Sequence, residues 1–195
     1  MTVEHQFVER MRTLLVSLPY DLKVLFEAMT DEDLPLDARK LATAAAIYCL
    51  SPSDGIPDTI GLVGFTDDAI VVRLVLKQVL DLGGEDVARY PERFPEQFEN
   101  LDEDLTLVRS YLGESMDWLE RRMQLKNIED LRYKGKTVSG YLADDESAQR
   151  LYNEGLTFTT DYEIDDEAVQ RLTSAKPVLE AFDKRRQIEE SRRGA

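Results

Sequence analysis

The chain has 195 residues, with 24 Lys and Arg against 39 Asp and Glu, a net charge of −15. That balance repels phosphate backbones and excludes general nucleic-acid binding; it points to protein partners with basic faces. One cysteine excludes an intramolecular disulfide, and one histidine excludes any site that needs two or more imidazoles.

The hydrophobic share of 43% suffices for the core of one domain, or of one domain with an extension. Residues 1–6 show no basic stretch leading into an apolar core, so no secretory signal is expected. The longest uncharged run, 41–53, has 13 residues, and a spanning helix needs about 20. The expectation is a soluble protein without an integral membrane span, in the cytoplasm of a bacterium or similar cell.

In chain order, Val3, Phe7, Met11, Leu14, Leu15 and Leu18 recur at helical spacing, and Pro19 is expected to end that helix. A short second helix is expected over 21–29, then an acidic linker, then a third helix over 36–50. This third helix is rich in alanine, and Ala42, Ala45 and Ala46 are expected to face the helix that follows. Residues 51–65 hold Pro52, Gly55, Pro57, Gly61 and Gly64 and read as a specified loop. A fourth helix over about 67–82 is apolar on nearly every side, as a buried helix must be, and Gly83-Gly84 stops it. Only Arg73, Lys77 and Asp81 give it a polar strip.

Residues 85–104 are acidic and broken by Pro91 and Pro95. Helical spacing returns from Leu101 to Met123, with Gly113 splitting it and Ser115 capping the second helix. The segments 137–142 and 156–162 read as two short strands around a small helix. A final helix is expected from about Asp165, bent or restarted at Pro177, ending in a basic tail expected to fray. The expected fold is mainly α: a helical hairpin core with flanking helices, plus a small two-stranded β ribbon in the C-terminal third. Residues 1–84 form the helical domain, and 85–195 a mainly helical extension packed on it.

The most informative stretch runs Tyr48-Cys49-Leu50-Ser51-Pro52-Ser53-Asp54-Gly55-Ile56-Pro57-Asp58, with Gly61 and then Thr66-Asp67-Asp68. A tyrosine at a helix end, a Ser-Pro-x-Asp-x-Ile-Pro-Asp turn, a glycine and an Asp-Asp pair opening the next helix resemble the domain of unknown function 1232 (YkvA-like) family, over about 37–80. The resemblance implies a helical hairpin around an acidic turn and brings no established activity. Family members often carry a strongly apolar loop here and can be membrane proteins; Gly55, Thr59 and Thr66 make this loop more polar.

Two chemistries compete at the turn. In the structural reading, Ser51, Pro52 and Asp54 build a β-turn, and Pro57 and Asp58 open a short helix. Thr66 caps the fourth helix, and Asp67 and Asp68 face its positive end, for about 0.3–1 kcal/mol each. In the ligand reading, Asp54, Asp58, Asp67 and Asp68 converge. An all-oxygen cluster then suits Mg²⁺, Ca²⁺ or Mn²⁺, in a site that could serve metal-dependent hydrolysis, or it forms an acidic patch for a partner. Arg73, one and a half turns further on, is expected to neutralise the turn as an ion pair.

Other motifs carry less. Gly135-Lys136-Thr137 resembles the end of a phosphate-binding loop, but Asp130 stands where that loop needs glycine, so a hairpin edge is expected. Cys49 reads as an inert core thiol, His5 as exposed, and Trp118 with Leu119 as core. No residue reads as catalytic. The functional expectation is a non-catalytic interaction or scaffold module without a cofactor, and a divalent-cation protein is the alternative.

Overall fold

In a computed structural model, which describes residues 2–51, 56 and 58–193, and only the backbone of 58–60 and 193, the chain is mainly helical with one two-stranded ribbon. Helix α1 (Val3–Thr30) opens with Thr2, whose hydroxyl accepts the His5 N–H at 3.3 Å. The expected break at Pro19 does not occur, and the two expected helices are one. Proline at 19 cannot donate to the Leu15 carbonyl. The Tyr162 hydroxyl donates to that carbonyl instead, at 2.7 Å. The buried stripe Leu15, Leu18, Leu22, Leu25 and Met29 also stays in helical phase across the proline, so burial favours continuation.

Helix α2 (Leu36–Leu50) follows the turn at Asp31–Asp33. Every residue from Leu41 to Cys49 is buried, Ala42, Ala45 and Ala46 completely. The only hydroxyl among the alanines, Thr43, donates to the Arg39 carbonyl at 2.8 Å. A 3₁₀ segment (Asp58–Phe65), which turns at Gly61 with φ 68°, leads into α3 (Thr66–Leu82). As expected, α3 is buried over almost its whole length and stops at Gly83, also at φ 68°. Helices α1, α2 and α3 pack on one another.

Helices α4 (Glu85–Arg93) and α5 (Pro95–Phe98) wrap the end of this unit. Arg89 and the Tyr90 hydroxyl both bond the Asp31 carboxylate, at 2.7 and 2.8 Å. Helices α6 (Leu101–Leu112) and α7 (Glu114–Arg122) meet at Gly113, which is the capping residue of both. Ser115 does not cap α7: it lies inside the helix, and its hydroxyl donates to Asp183 at 2.8 Å.

The ribbon pairs β1 (Arg132–Tyr133) with β2 (Lys136–Thr137), antiparallel, through Lys134 and Gly135 at φ 47° and 82°. It lies earlier than the strands expected at 137–142 and 156–162. Apart from Thr137, the first of these is helix α8 (Val138–Leu142), and most of the second is the end of α9 (Asp145–Asp161). The β-branched run Thr157, Thr159 and Thr160 suits a helix because each hydroxyl bonds back to Asn153 or Leu156, at 2.8–3.1 Å. The final helix does not begin near Asp165: a 3₁₀ turn (Ala168–Arg171) comes first, and α10 (Lys176–Arg193) starts at Lys176, with Pro177 in its first turn. Up to Glu189 the basic end is tied to the rest of the chain. Val178 and Phe182 are fully buried, Trp118 donates to Glu189 at 3.0 Å, and Arg122 pairs with the same carboxylate. One hydrophobic cluster runs from Phe7 in α1 to Phe182 in α10.

Candidate functional site

The acidic turn is organised around Asp67, in the first turn of α3. Its Oδ2 accepts the Tyr48 hydroxyl from the last turn of α2 and the backbone N–H of Ile56, both at 2.8 Å. Tyr48, Ile56, Asp67 and Asp68 are all buried. Burial, then the negative charge of Asp67, holds the Tyr48 hydroxyl well above the ordinary tyrosine range, so it stays a donor. Ser51 donates to the Ile47 carbonyl at 2.7 Å and so satisfies the end of α2. Thr66 is not the cap expected of it: its hydroxyl donates to the Val63 carbonyl at 2.7 Å. Asp67 and Asp68 do lie in the first turn of α3, but Asp67 works by closing the α2–α3 connection onto Tyr48.

Pro52, Asp54 and Pro57 lie outside the described residues, as does the side chain of Asp58. Among the described residues, no group of three or more His, Cys, Asp or Glu side chains is placed to hold a metal ion.

Arg73 does not neutralise this turn. It faces away, into a second centre that the sequence reading did not foresee. Its guanidinium donates to the carbonyls of Gln97 and Glu99, at 2.6 and 2.5 Å, and to Asp104 at 2.9 Å. Asp21 of α1 stands 3.7 Å away and accepts the Ser17 hydroxyl at 3.1 Å. Arg10 forms an ion pair with the other oxygen of Asp104, 3.0 Å away. Arg73, Asp21 and Asp104 are all buried. Burial raises the Asp21 carboxyl to about 7, against the opposing pull of Arg73 and Ser17. Asp104 is raised for the same reason, opposed by Arg73 and Arg10. The cluster ties α1, α3, the α5 turn and α6 together. Its only trace in the sequence is a charged residue at each of three otherwise apolar helix positions.

Beside the acidic turn lies a groove of about 540 Å³. Leu62 and Phe65 from the 3₁₀ segment form one wall, and Phe158, Tyr162 and Ile164 the other. Phe65 lies 5.5 Å from Tyr162, edge to face, and 6.2 Å from Phe158, and all three rings are half-buried. Asp161, Glu163 and Arg171 stand at its rim, all exposed. Of this second wall, Phe158 belongs to α9, whereas Tyr162 and Ile164 follow its end.

His5 is exposed and Cys49 buried. Gly135 and Lys136 belong to the hairpin, Lys136 pairs with Asp144 at 2.8 Å, and Thr137 caps α8 by accepting the Gly140 N–H. Among the described residues, no helix is long and apolar enough to cross a membrane. No curated protein and no solved structure matches the chain. A partial segment, residues 38–74, does match a family model, that of Protein of unknown function (DUF1232); it spans Tyr48, Asp67, Asp68 and Arg73 but neither Asp21 nor Asp104.

Proposed function

We propose that this chain is a non-catalytic interaction module of the cytoplasm whose partner is a protein with a basic face. The observation that carries this is the use made of Asp67. Its carboxylate oxygen is engaged by the Tyr48 hydroxyl and the Ile56 N–H inside the protein, so it braces a turn. The net charge of −15 favours basic protein surfaces over nucleic acid.

Thermal unfolding with and without Mg²⁺, Ca²⁺ or Mn²⁺, at ionic strength matched with NaCl, tests this reading. The expected result is no shift beyond the NaCl control. A saturable rise in melting temperature, lost in Asp67→Asn or Asp54→Asn, overturns it in favour of a divalent-cation site at Asp54, Asp58, Asp67 and Asp68; about a hundredfold excess over the dissociation constant would add roughly 2.7 kcal/mol.

A further inference from the structure

We infer that the groove between the 3₁₀ segment and the end of α9 is the docking site for a short protein segment that inserts a large apolar side chain and carries lysine or arginine beside it. The inference rests on the reading of the chain as an interaction module and names the face it uses. Three half-buried aromatic rings, Phe65, Phe158 and Tyr162, meet at this groove. Its volume of about 540 Å³ lies within the roughly 300–1,000 Å³ of sites that enclose a ligand group. Rigid aromatic pockets of this kind receive the anchor residues that dominate binding energy.

Charge decides the occupant. Residues 161–167 read Asp-Tyr-Glu-Ile-Asp-Asp-Glu: Tyr162 and Ile164 line the groove with the exposed acids Asp161 and Glu163, and Asp165, Asp166 and Glu167, also exposed, follow them in the chain. Among the described residues, Arg171 is the one basic residue lining it. Such a rim attracts a cationic segment and repels anionic lipid headgroups. A second copy of this chain is a poorer match. Its basic stretch lies on α10, where Arg186 pairs with Glu114 at 2.9 Å and Arg185 with Glu189 at 3.6 Å.

The test selects a random 12-residue peptide display library against the immobilised full chain, and measures enriched peptides by fluorescence anisotropy. Enriched peptides are expected to share one large apolar residue flanked by Lys or Arg, and to bind more weakly as NaCl is added. Asp161→Lys/Glu163→Lys should weaken them at least tenfold, as should Ile164→Ser. Both exposed acids are on the surface, so the double variant keeps its fold, which its melting curve checks. Replacing the peptide's lysines with glutamates should restore binding to the double variant and abolish it to the wild type.

Peptides insensitive to both groove variants, or without basic residues, overturn the groove while leaving an interaction module elsewhere on the surface. No enrichment overturns the inference, and if a saturable divalent shift accompanies it, the module reading falls as well. A dimer in sedimentation that Asp161→Lys/Glu163→Lys dissolves, or flotation with phosphatidylglycerol vesicles, overturns the chosen occupant.

Discussion

Asp67 and Arg73 stand six residues apart on α3, and each sits at a buried polar centre of different construction. Asp67 takes neutral donors from nearby in the chain: the Ile56 N–H, 11 residues before it, and the Tyr48 hydroxyl, 19 before it. Arg73 takes partners from far away: carbonyls 24 and 26 residues on, Asp104 31 residues on, and Asp21 back in α1. The first centre closes a connection within one hairpin. The second clamps separate elements, and as a buried ion cluster it carries a desolvation cost that only complete pairing offsets. Stability at the first is therefore a matter of hydrogen bonds and at the second a matter of charge balance. The two should fail differently.

The largest loss is expected at Arg73. Arg73→Met keeps the length of the side chain, but leaves Asp21 and Asp104 without their shared cation and the Gln97 and Glu99 carbonyls without a donor. Breaking a buried pair on one side costs about 3–5 kcal/mol, to be measured by urea denaturation. A loss under about 1 kcal/mol would mean that the cluster is decorative.

The same centre gives the protein a pH dependence of defined sign. Asp21 ionises near 3.8 when unfolded, and burial raises it to about 7 when folded. Between those values the native state holds a proton that the unfolded state has lost. The contribution to stability is full below pH 3.8 and is lost as pH rises through about 7. Asp104, also raised, acts in the same direction. Asp21→Asn cannot ionise, so relative to wild type it should gain stability progressively from about 3.8 to about 7 on the pH scale and level off above. A stability difference that is flat over this window, or that moves the other way, would remove Asp21 from the cluster's charge balance.

At Asp67 the expected loss is smaller and of another kind. Tyr48→Phe keeps the ring under Arg122, whose guanidinium lies 5.7 Å from the ring centroid, and removes one of the two donors to Oδ2 among the described residues. Leaving a buried carboxylate short of a donor costs about 1–3 kcal/mol. Asp67→Asn should likewise exceed the roughly 0.3–1 kcal/mol of a helix-dipole term. Neither loss should shrink with added NaCl, as an exposed electrostatic term would. Melts at low and high salt separate the two explanations.

The same contrast of near and far governs what the sequence revealed. Helix α2, the start of α3, the stop at Gly83-Gly84 and the division at Gly113 rest on signals within a few residues, and the structure contains them. The acids at the start of α3 were visible, and so was Tyr48 at the end of α2, but not the bond between them. Three of the misread features depend on distant partners. The end of α9 looks extended until Gly155 is seen against the buried ring of Phe26, where a Cβ would collide. The basic end looks loose until Glu189 meets Trp118 and Arg122. Arg73 looks like a partner for the adjacent acids until α1 and α6 arrive. Local periodicity carries none of this information, because tertiary packing overrides propensity.

The smallest effect offers the sharpest test of a distant partner. Pro19 leaves the Leu15 carbonyl without its helical N–H, and Tyr162, 147 residues away in sequence, donates to it at 2.7 Å. Burial raises the Tyr162 hydroxyl above the ordinary tyrosine range, so it remains protonated and able to donate. Tyr162→Phe keeps the ring in the groove and should cost about 1 kcal/mol. Pro19→Ala supplies an N–H for the same carbonyl, so in that background Tyr162→Phe should cost less, by about 0.5–1 kcal/mol. The coupling arises because the hydroxyl and the restored amide compete for one acceptor. Strict additivity of the two substitutions would show that Tyr162 does not replace the bond Pro19 removed. The continuity of α1 across the proline would then rest on its buried stripe alone.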